Sequence, residues 1–332
     1  MSDPKKILVT GGAGYIGSHT VSVLKESGYM PVVFDNFSQG HKTAVSCKTI
    51  QGDLKNKSDI VDVLSSDSFS GVIHFAAFAL AGESMKQPGE YFKNNILGGV
   101  NLLDAMKETD VNAIVFSSTC AIYGFPDELP VTELAPQNPV SVYGESKKMF
   151  EKILDWYDQL FAIKSVRLRY FNASGAALDG SNGEWHEPET HILPIAIEVA
   201  AGKRDHFTIF GDDYNTKDGT NVRDYIHVLD LADAHIKALE YIWKENKSNA
   251  FNLGTGKGYS NKEILDMVKT VSRKEVPVVV GPRREGDPDA IFADNTKAKS
   301  ELGWKPKYSD LKTIVESAWK WQSTHPNGFE KK

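Results

Sequence analysis

The sequence predicts an α/β fold: a doubly wound parallel sheet followed by a smaller α/β carboxy-terminal domain. Three observations predict it. Short apolar or β-branched runs alternate with helix-length amphipathic segments over the first 120 residues, a glycine-rich turn separates the first strand-like run from the first helical one, and the texture changes after Asn172 to a stretch rich in Gly, Ser, Asn and Pro. Alternation of this kind builds βαβ units, because parallel neighbours need a crossover segment between them. At 332 residues with 41% hydrophobic side chains, the chain has material for about two domains.

The strand-like runs are KILVT (6–10), PVVFD (31–35), GVIHFAA (71–77) and AIVFSS (113–118), with a short third strand expected before GDL at 52–54. KSVRLRYFN (164–172) extends the same sheet after a helix that begins near Tyr143. ASGAALDGSNGEWHEPETH (173–191) reads as a long loop and a boundary, so domains are expected over 1–175 and 176–332. VLDLADAHIKALEYIWK (228–244), with Asp230 as candidate N-cap, reads as a helix that packs back on the first domain. NKEILDMVKTV and LKTIVESAWKWQ read as helices of the second. There are no internal repeats and no low-complexity tract.

Composition excludes several classes. A net charge of −6 argues against a nucleic-acid footprint, which wants a basic face, and leaves any anionic ligand to a few local cations. Two cysteines, Cys47 and Cys120, make no disulfide framework, and no Cys/His cluster has zinc-ligand spacing, so a reducing compartment and no metal are expected. The amino terminus runs straight into a strand with no apolar h-region, and no stretch of about 18 apolar residues occurs. A cytoplasmic protein without membrane contact is the expectation.

TGGAGYIGS follows the first strand, with glycines at 11, 12, 14 and 17. Glycine allows the tight turn and the close approach of a pyrophosphate, and the following helix N-terminus offers unpaired N–H groups to its charge. Asp35 ends the second strand, where a carboxylate can accept from both adenine-ribose hydroxyls. A glycine-rich turn plus a strand-end cap would look alike in isolation; strand, turn, helix and carboxylate together favour a Rossmann-type dinucleotide site. The charge of Asp35, followed by NFSQG rather than an arginine, would repel a 2′-phosphate, which favours NAD over NADP. Asp53, within GDL, would flank the adenine.

Tyr143 and Lys147 in YGESK lie one helical turn apart on one face. Alone, the pair is as well read as a solvated helix surface, and Thr119 as an ordinary strand-end residue. Joined to the dinucleotide turn and FSSTCAIYG (116–124), they resemble the extended short-chain dehydrogenase/reductase family, and the resemblance spans nearly the whole chain: TGGAGYIGSHT, HFAA, GESM, RYFNASGA, IFGDDYNTKDGTNVRDYIHVLDLADAH, FNLGTG and PRREGD. The resemblance implies an NAD enzyme of nucleotide-sugar metabolism that interconverts UDP-glucose and UDP-galactose by inversion at C4 through a transient 4-keto sugar, and a homodimer. UDP-N-acetylhexosamines or UDP-pentoses are the alternative substrates, and a non-catalytic NAD sensor the alternative of another class.

Residue by residue, the resemblance implies that Tyr143 is base and then acid, that Lys147 is its electrostatic partner and a donor to the nicotinamide ribose, and that Thr119 binds the reacting sugar oxygen. Tyrosine has a reference pKa of about 10, so a neighbouring ammonium and a positive nicotinamide are expected to favour phenolate, three units being roughly 4 kcal/mol. Cofactor contacts are implied for Gly11, Gly14, Tyr15, Ile16, Gly17, Asp35, Asn36, Ser38, Gly40, Asp53, Leu54, Phe75, Ala76, Ala77, Asn95, Ser117 and Phe171, besides Tyr143 and Lys147. Substrate contacts are implied for Thr119, Asn172, His191, Ile192, Phe210, Arg223, Arg284 and Asp287. The two arginines clamp the diphosphate, while Asp287 either holds a ribose hydroxyl or braces Arg284. Three positions depart from the family pattern. Ala79 stands where many members have lysine near the cofactor phosphates, leaving backbone and Asn95 to grip that side; His191 replaces an asparagine; and Ile291, at a position that helps set pocket width, is intermediate in size. Related dehydratases carry Asp-Glu directly after the threonine, whereas here Cys120 and Ala121 follow it.

Overall fold

A computed structural model of the chain describes residues 4–284 and 286–329. Glu285 of the PRREGD stretch and the first three residues of the amino-terminal stretch lie outside the described residues. Seven parallel strands form the main sheet: β1 (Lys6–Thr10), β2 (Met30–Asp35), β3 (Lys48–Gln51), β4 (Phe69–His74), β5 (Ala113–Thr119), β6 (Lys164–Tyr170) and β7 (Asn249–Leu253). Their order is β7-β6-β5-β4-β1-β2-β3, with β1 between β2 and β4. The strand order reverses there, and the crevice beyond the carboxyl ends of the strands at such a switch point is where ligands bind in doubly wound sheets.

Strand alternation sorts the core onto two faces. Ile7, Val9, Val33, Ile73, Val115 and Leu168 lie on one face, which α1 (Tyr15–Glu26) covers over β1 and β2 and a later helix covers over β5 and β6. Leu8, Val32, Phe34, Val72, Ile114 and Phe116 meet α2 (Lys57–Ser65), α3 (Gly98–Glu108) and α4 (Val142–Phe161). The third-strand and Tyr143-helix expectations hold; GVIHFAA stops being strand at His74, and Phe75–Ala77 leave the carboxyl end of β4, the Phe75 and Ala76 amides donating to the Thr10 carbonyl. Ser141 caps α4 by accepting from the Gly144 amide at 3.1 Å.

Past Ser174 the chain does two things. α5 (Ile192–Ala200), α7 (Asn261–Ser272) and α8 (Leu311–Thr324) close a second core with Phe207, Ile209 and Tyr225. Between them α6 (Val228–Glu245) returns to α1 and the first face of the sheet, burying Leu231, Leu239 and Ile242 there, and β7 then adds to the sheet edge beside β6. Asp230 is not the cap of α6. His227 is, accepting from the Leu229 amide at 3.2 Å, while the buried Asp230 carboxylate takes the amides of Lys307 and Tyr308 and the Ser309 hydroxyl. Asp230 therefore fastens a distant loop, a use that local sequence cannot distinguish from capping.

Candidate active site

One cavity of about 1190 Å³ runs from the carboxyl ends of β1, β2 and β4 to the irregular segments before α5 and after residue 281. It begins at the glycine turn. Gly11 sits at φ +68°, and a Cβ there would stand 2.5 Å from the Ala76 nitrogen; one at Gly17 would stand 2.4 Å from the Gly11 carbonyl. Both spaces are filled by backbone, so side chains are excluded and the α1 N-terminus lies open to an anion. Asp35 is 8% exposed and accepts from the amides of Ala13 (3.0 Å) and Phe37 (2.8 Å). Burial pushes its carboxyl up while those amides oppose the shift. Asn36, Ser38, Gly40, Asp53 and Leu54 continue this wall, and Tyr15, Ile16, Gly14, Phe75, Ala76 and Ala77 complete the turn side. The residues fit a dinucleotide: a phosphate cradle with no room for a Cβ, and a carboxylate at the end of β2.

The reactive end is built where β5 meets α4. Thr119 closes β5, and its Oγ1 accepts from the Ala121 amide at 3.1 Å. Tyr143 is pinned at both backbone ends, its amide donating to Ser84 Oγ at 3.1 Å and its carbonyl accepting from Ser146 Oγ at 2.8 Å. Lys147 is 3% exposed; its Nζ donates to the Ser117 carbonyl at 2.7 Å and lies 5.9 Å from the Tyr143 ring centroid. Burial pushes the Tyr143 phenol up to about 12, against a hydrogen bond with Thr119, and brings the Lys147 ammonium down to about 7, against the Glu151 carboxylate. The protein by itself thus moves Tyr143 away from phenolate, the reverse of the expected direction, because desolvation outweighs an ammonium that reaches the Ser117 carbonyl instead of the phenol.

The far end is cationic. Arg223 extends between the Val222 carbonyl (2.8 Å) and Asp287 (3.2 Å), and Asn221 donates to the same carboxylate. The Arg284 guanidinium lies 3.9 Å above the Phe210 ring. Asp287 therefore braces Arg223, not Arg284. Asn172, Ile192, Phe171 and Ser117 also line the cavity, as does Ala79.

Asn95 is the predicted contact held away from this lining. It is 4% exposed, and its amide is spent on the Phe78 backbone (2.9 and 3.0 Å) and Ser146 (3.0 Å). It braces the turn after β4, and its neighbour Asn94 faces the cavity. Ile291 is likewise behind the wall, packed with Phe171, Ile122 and Tyr123. His191 lines the cavity with its side chain 52% exposed, but its ring nitrogen is engaged: desolvation there would lower its pKa, yet Glu184 and Glu189 carry it up to about 10. Glu151, one turn beyond Lys147, pairs in the interior with Arg169 and Ser118. Its position at i+4 from Lys147 was the signal for it in the sequence.

Among known proteins, this chain is 52% identical over 325 residues to the UDP-glucose 4-epimerase of Lacticaseibacillus casei, covering 97% of this chain and 98% of that one. The chain belongs to the UDP-glucose 4-epimerase family. A profile described as GDP-mannose 4,6 dehydratase matches residues 8–317, which places that family within the extended short-chain dehydrogenase/reductases. The fold agrees with the crystal structure of UDP-glucose 4-epimerase from Brucella ovis in complex with NAD (TM-score 0.93, 46% identity, 95% of this chain and 97% of that one). It agrees equally with the Bifidobacterium longum enzyme in complex with NAD+ and UDP (TM-score 0.92, 37% identity, 98% and 100%).

Proposed function

We propose that the enzyme interconverts UDP-glucose and UDP-galactose by inversion at C4, with NAD bound in the glycine cradle and the nucleotide sugar in the cationic end of the same cavity. The observation that carries this reading is the meeting of Thr119, Tyr143 and Lys147 in one cavity with both Asp35 and Arg223. NAD held there supplies a hydride store at the sugar carbon and is regenerated within each turnover. Tyr143 Oη takes the proton of the 4-hydroxyl and returns it once the keto sugar has presented its other face, while Thr119 Oγ1 holds the reacting oxygen. A phenol pushed up to about 12 is a weak acid that keeps its proton at neutral pH, so forming the phenolate that acts as base needs a positive charge facing it, and Lys147 supplies one only while protonated. Arg223, fixed by Asp287, and Arg284, stacked on Phe210, hold the diphosphate and leave the sugar free to turn. Elimination of water would need a further acid and base. The residues after Thr119 are Cys120, whose thiol burial pushes up to about 12, and Ala121, and neither serves.

Incubation of the purified enzyme with a panel of UDP-sugars, products separated by chromatography, tests the reading: UDP-galactose and UDP-glucose should interconvert fastest, and an unchanged pair in the presence of bound NAD would refute it. The enzyme works as a homodimer. Support comes from α4, which leaves Met149, Trp156 and Leu160 exposed at 39, 52 and 61% with spacings of seven and four. Light scattering should report twice the chain mass, and Trp156→Glu should give the monomer. A reducing cytoplasm suits the two free cysteines. Among the described residues no helix is long and apolar enough to cross a membrane.

A further inference from the structure

The strap between the two halves of the cavity, residues 182–191, carries a side-chain cluster that the reaction does not use. Glu184, His186, Glu189 and His191 each turn one ligand atom to a common point, all four within 4.8 Å of one another. His191 Nδ1 stands 2.8 Å from Glu184 and 3.4 Å from Glu189, and His186 Nδ1 stands 3.5 Å from each carboxylate. The corners of a tetrahedron around an ion bound at about 2.0–2.1 Å are separated by roughly 3.3–3.4 Å, so three of these four contacts suit that coordination, and the 2.8 Å pair of His191 and Glu184 would open by about half an ångström to admit the ion. Both carboxylates are nearly buried, Glu184 at 7% and Glu189 at 5% exposure, and among the described residues no Lys or Arg pairs with either. The His186 Nδ1 atom is buried and has no hydrogen-bond partner among the described residues, although two carboxylates face it. Its 3.5 Å contacts are too long for good hydrogen bonds but match two ligands seen across a shared ion. The rings of His186 and His191 meet edge to face at 66° with centroids 5.2 Å apart, which lets both Nδ1 atoms converge without ring overlap. Glu189 Oε1 also accepts from the amides of Thr190 (2.7 Å) and His191 (2.8 Å), the outer support that ligating carboxylates commonly have.

We infer that Glu184, His186, Glu189 and His191 form a structural site for a divalent transition ion of the zinc class. Two imidazoles and two carboxylates suit a borderline ion, their charges sum to neutrality with it, and four protein ligands leave no position open for chemistry. The earlier expectation of no metal came from Cys/His spacing, which does not cover a Glu-x-His…Glu-x-His set. The role follows from what the strap touches. The Trp185 carbonyl meets His41 Nε2 beside the cofactor turn at 3.2 Å, Asn182 donates to Ser18 on α1 at 2.9 Å, and Trp321 of α8 donates to the Glu184 carbonyl at 3.2 Å. An ion here rivets the strap between α1, α8 and the start of α5, joining the cofactor half to the substrate half.

The test uses the tag-free full chain, stripped with a chelator and desalted. After addition of Zn²⁺ and gel filtration, mass spectrometry should find a single zinc per chain, Co²⁺ should give the visible d–d bands of a tetrahedral site, and Zn²⁺ should raise the melting temperature. His186→Ala should weaken zinc retention by roughly tenfold or more and abolish the zinc-dependent melting shift, while far-UV dichroism and NAD content report that it is folded. Wild-type protein that retains no zinc and gives no cobalt bands, or His186→Ala protein that binds zinc as wild type does, would overturn the site and leave an ion-pair cluster. Because the cobalt spectrum reads the wild-type chain, the outcome stands even if the variant misfolds.

Discussion

The two halves of the cavity are made from different material. The cofactor half consists of strand ends and one helix N-terminus: Gly11, Gly14 and Gly17 lie within seven residues, and Asp35 ends the neighbouring strand. The substrate half is assembled from loops and short strands, bringing Arg223, Arg284 and Phe210 together from segments up to 74 residues apart in the chain. Regular backbone sets a fixed cradle for a ligand that stays; irregular segments held by side chains suit one that must enter, turn and leave.

Variants separate the halves by the size of their effects. Tyr143→Phe, at the seam, should lower kcat by about 10²–10⁴ with NAD and UDP binding kept, as read by turnover assays and isothermal titration. Near-normal turnover would move the base elsewhere. Gly17→Ala should act on the cofactor half alone, since its new methyl would meet the Gly11 carbonyl. Protein purified without bound NAD, with UDP affinity within a few-fold of wild type, is the expected result. Arg223→Ala should leave NAD content unchanged and raise KM roughly 10- to 100-fold, the worth of a charge-assisted contact of about 1.5–3 kcal/mol. Asp287→Asn should do so more weakly, and loss of NAD in either variant would break the division into halves.

The same contrast explains what was legible in the sequence. The cradle could be read because its parts are contiguous and each residue type has a single physical reason to be there. Tyr143 and Lys147 could be placed on one helix face, but not their protonation: burial, which no spacing reveals, moves both groups toward neutrality. Asp287 has a partner that neither of its two expected roles named, because its carboxylate stands beside Arg223 rather than Arg284. Asp230 is not the cap its position suggests, because a buried polar side chain serves whichever backbone lies nearest in space, here the loop at 307–309, and Asn95 likewise holds the Phe78 backbone. The four ligand candidates in the strap went unread because their meeting depends on how an irregular segment folds back on itself.

Acid stability gives the smallest and most graded comparison. Burial holds His74, near the cofactor, at about 3, with the Lys147 charge assisting, and holds His235 of α6 at about 4. Below about 6.5 the unfolded chain takes up protons that these residues refuse, so stability intact above that pH falls as pH drops toward their folded values, by about 1.4 kcal/mol per pH unit for each group. Asp224, under the substrate half, has the opposite sign. Burial raises it to about 6 against the Thr255 and Ala293 amides, so the fold gains its proton first and this group becomes less costly as pH falls below 6. Urea unfolding at pH 7 and pH 5.5 should show a net loss in acid, and His235→Gln should flatten it; a rise in stability would mean that the carboxylates dominate.

The central claim is that one hydride leaves C4 and returns to it inside a closed site. UDP-galactose deuterated at C4, converted in ordinary water without added NAD, tests this most directly by mass spectrometry and NMR of the product. UDP-glucose that keeps its deuterium at C4 is the predicted result. Deuterium lost to solvent, or no conversion by protein with NAD bound, would contradict it.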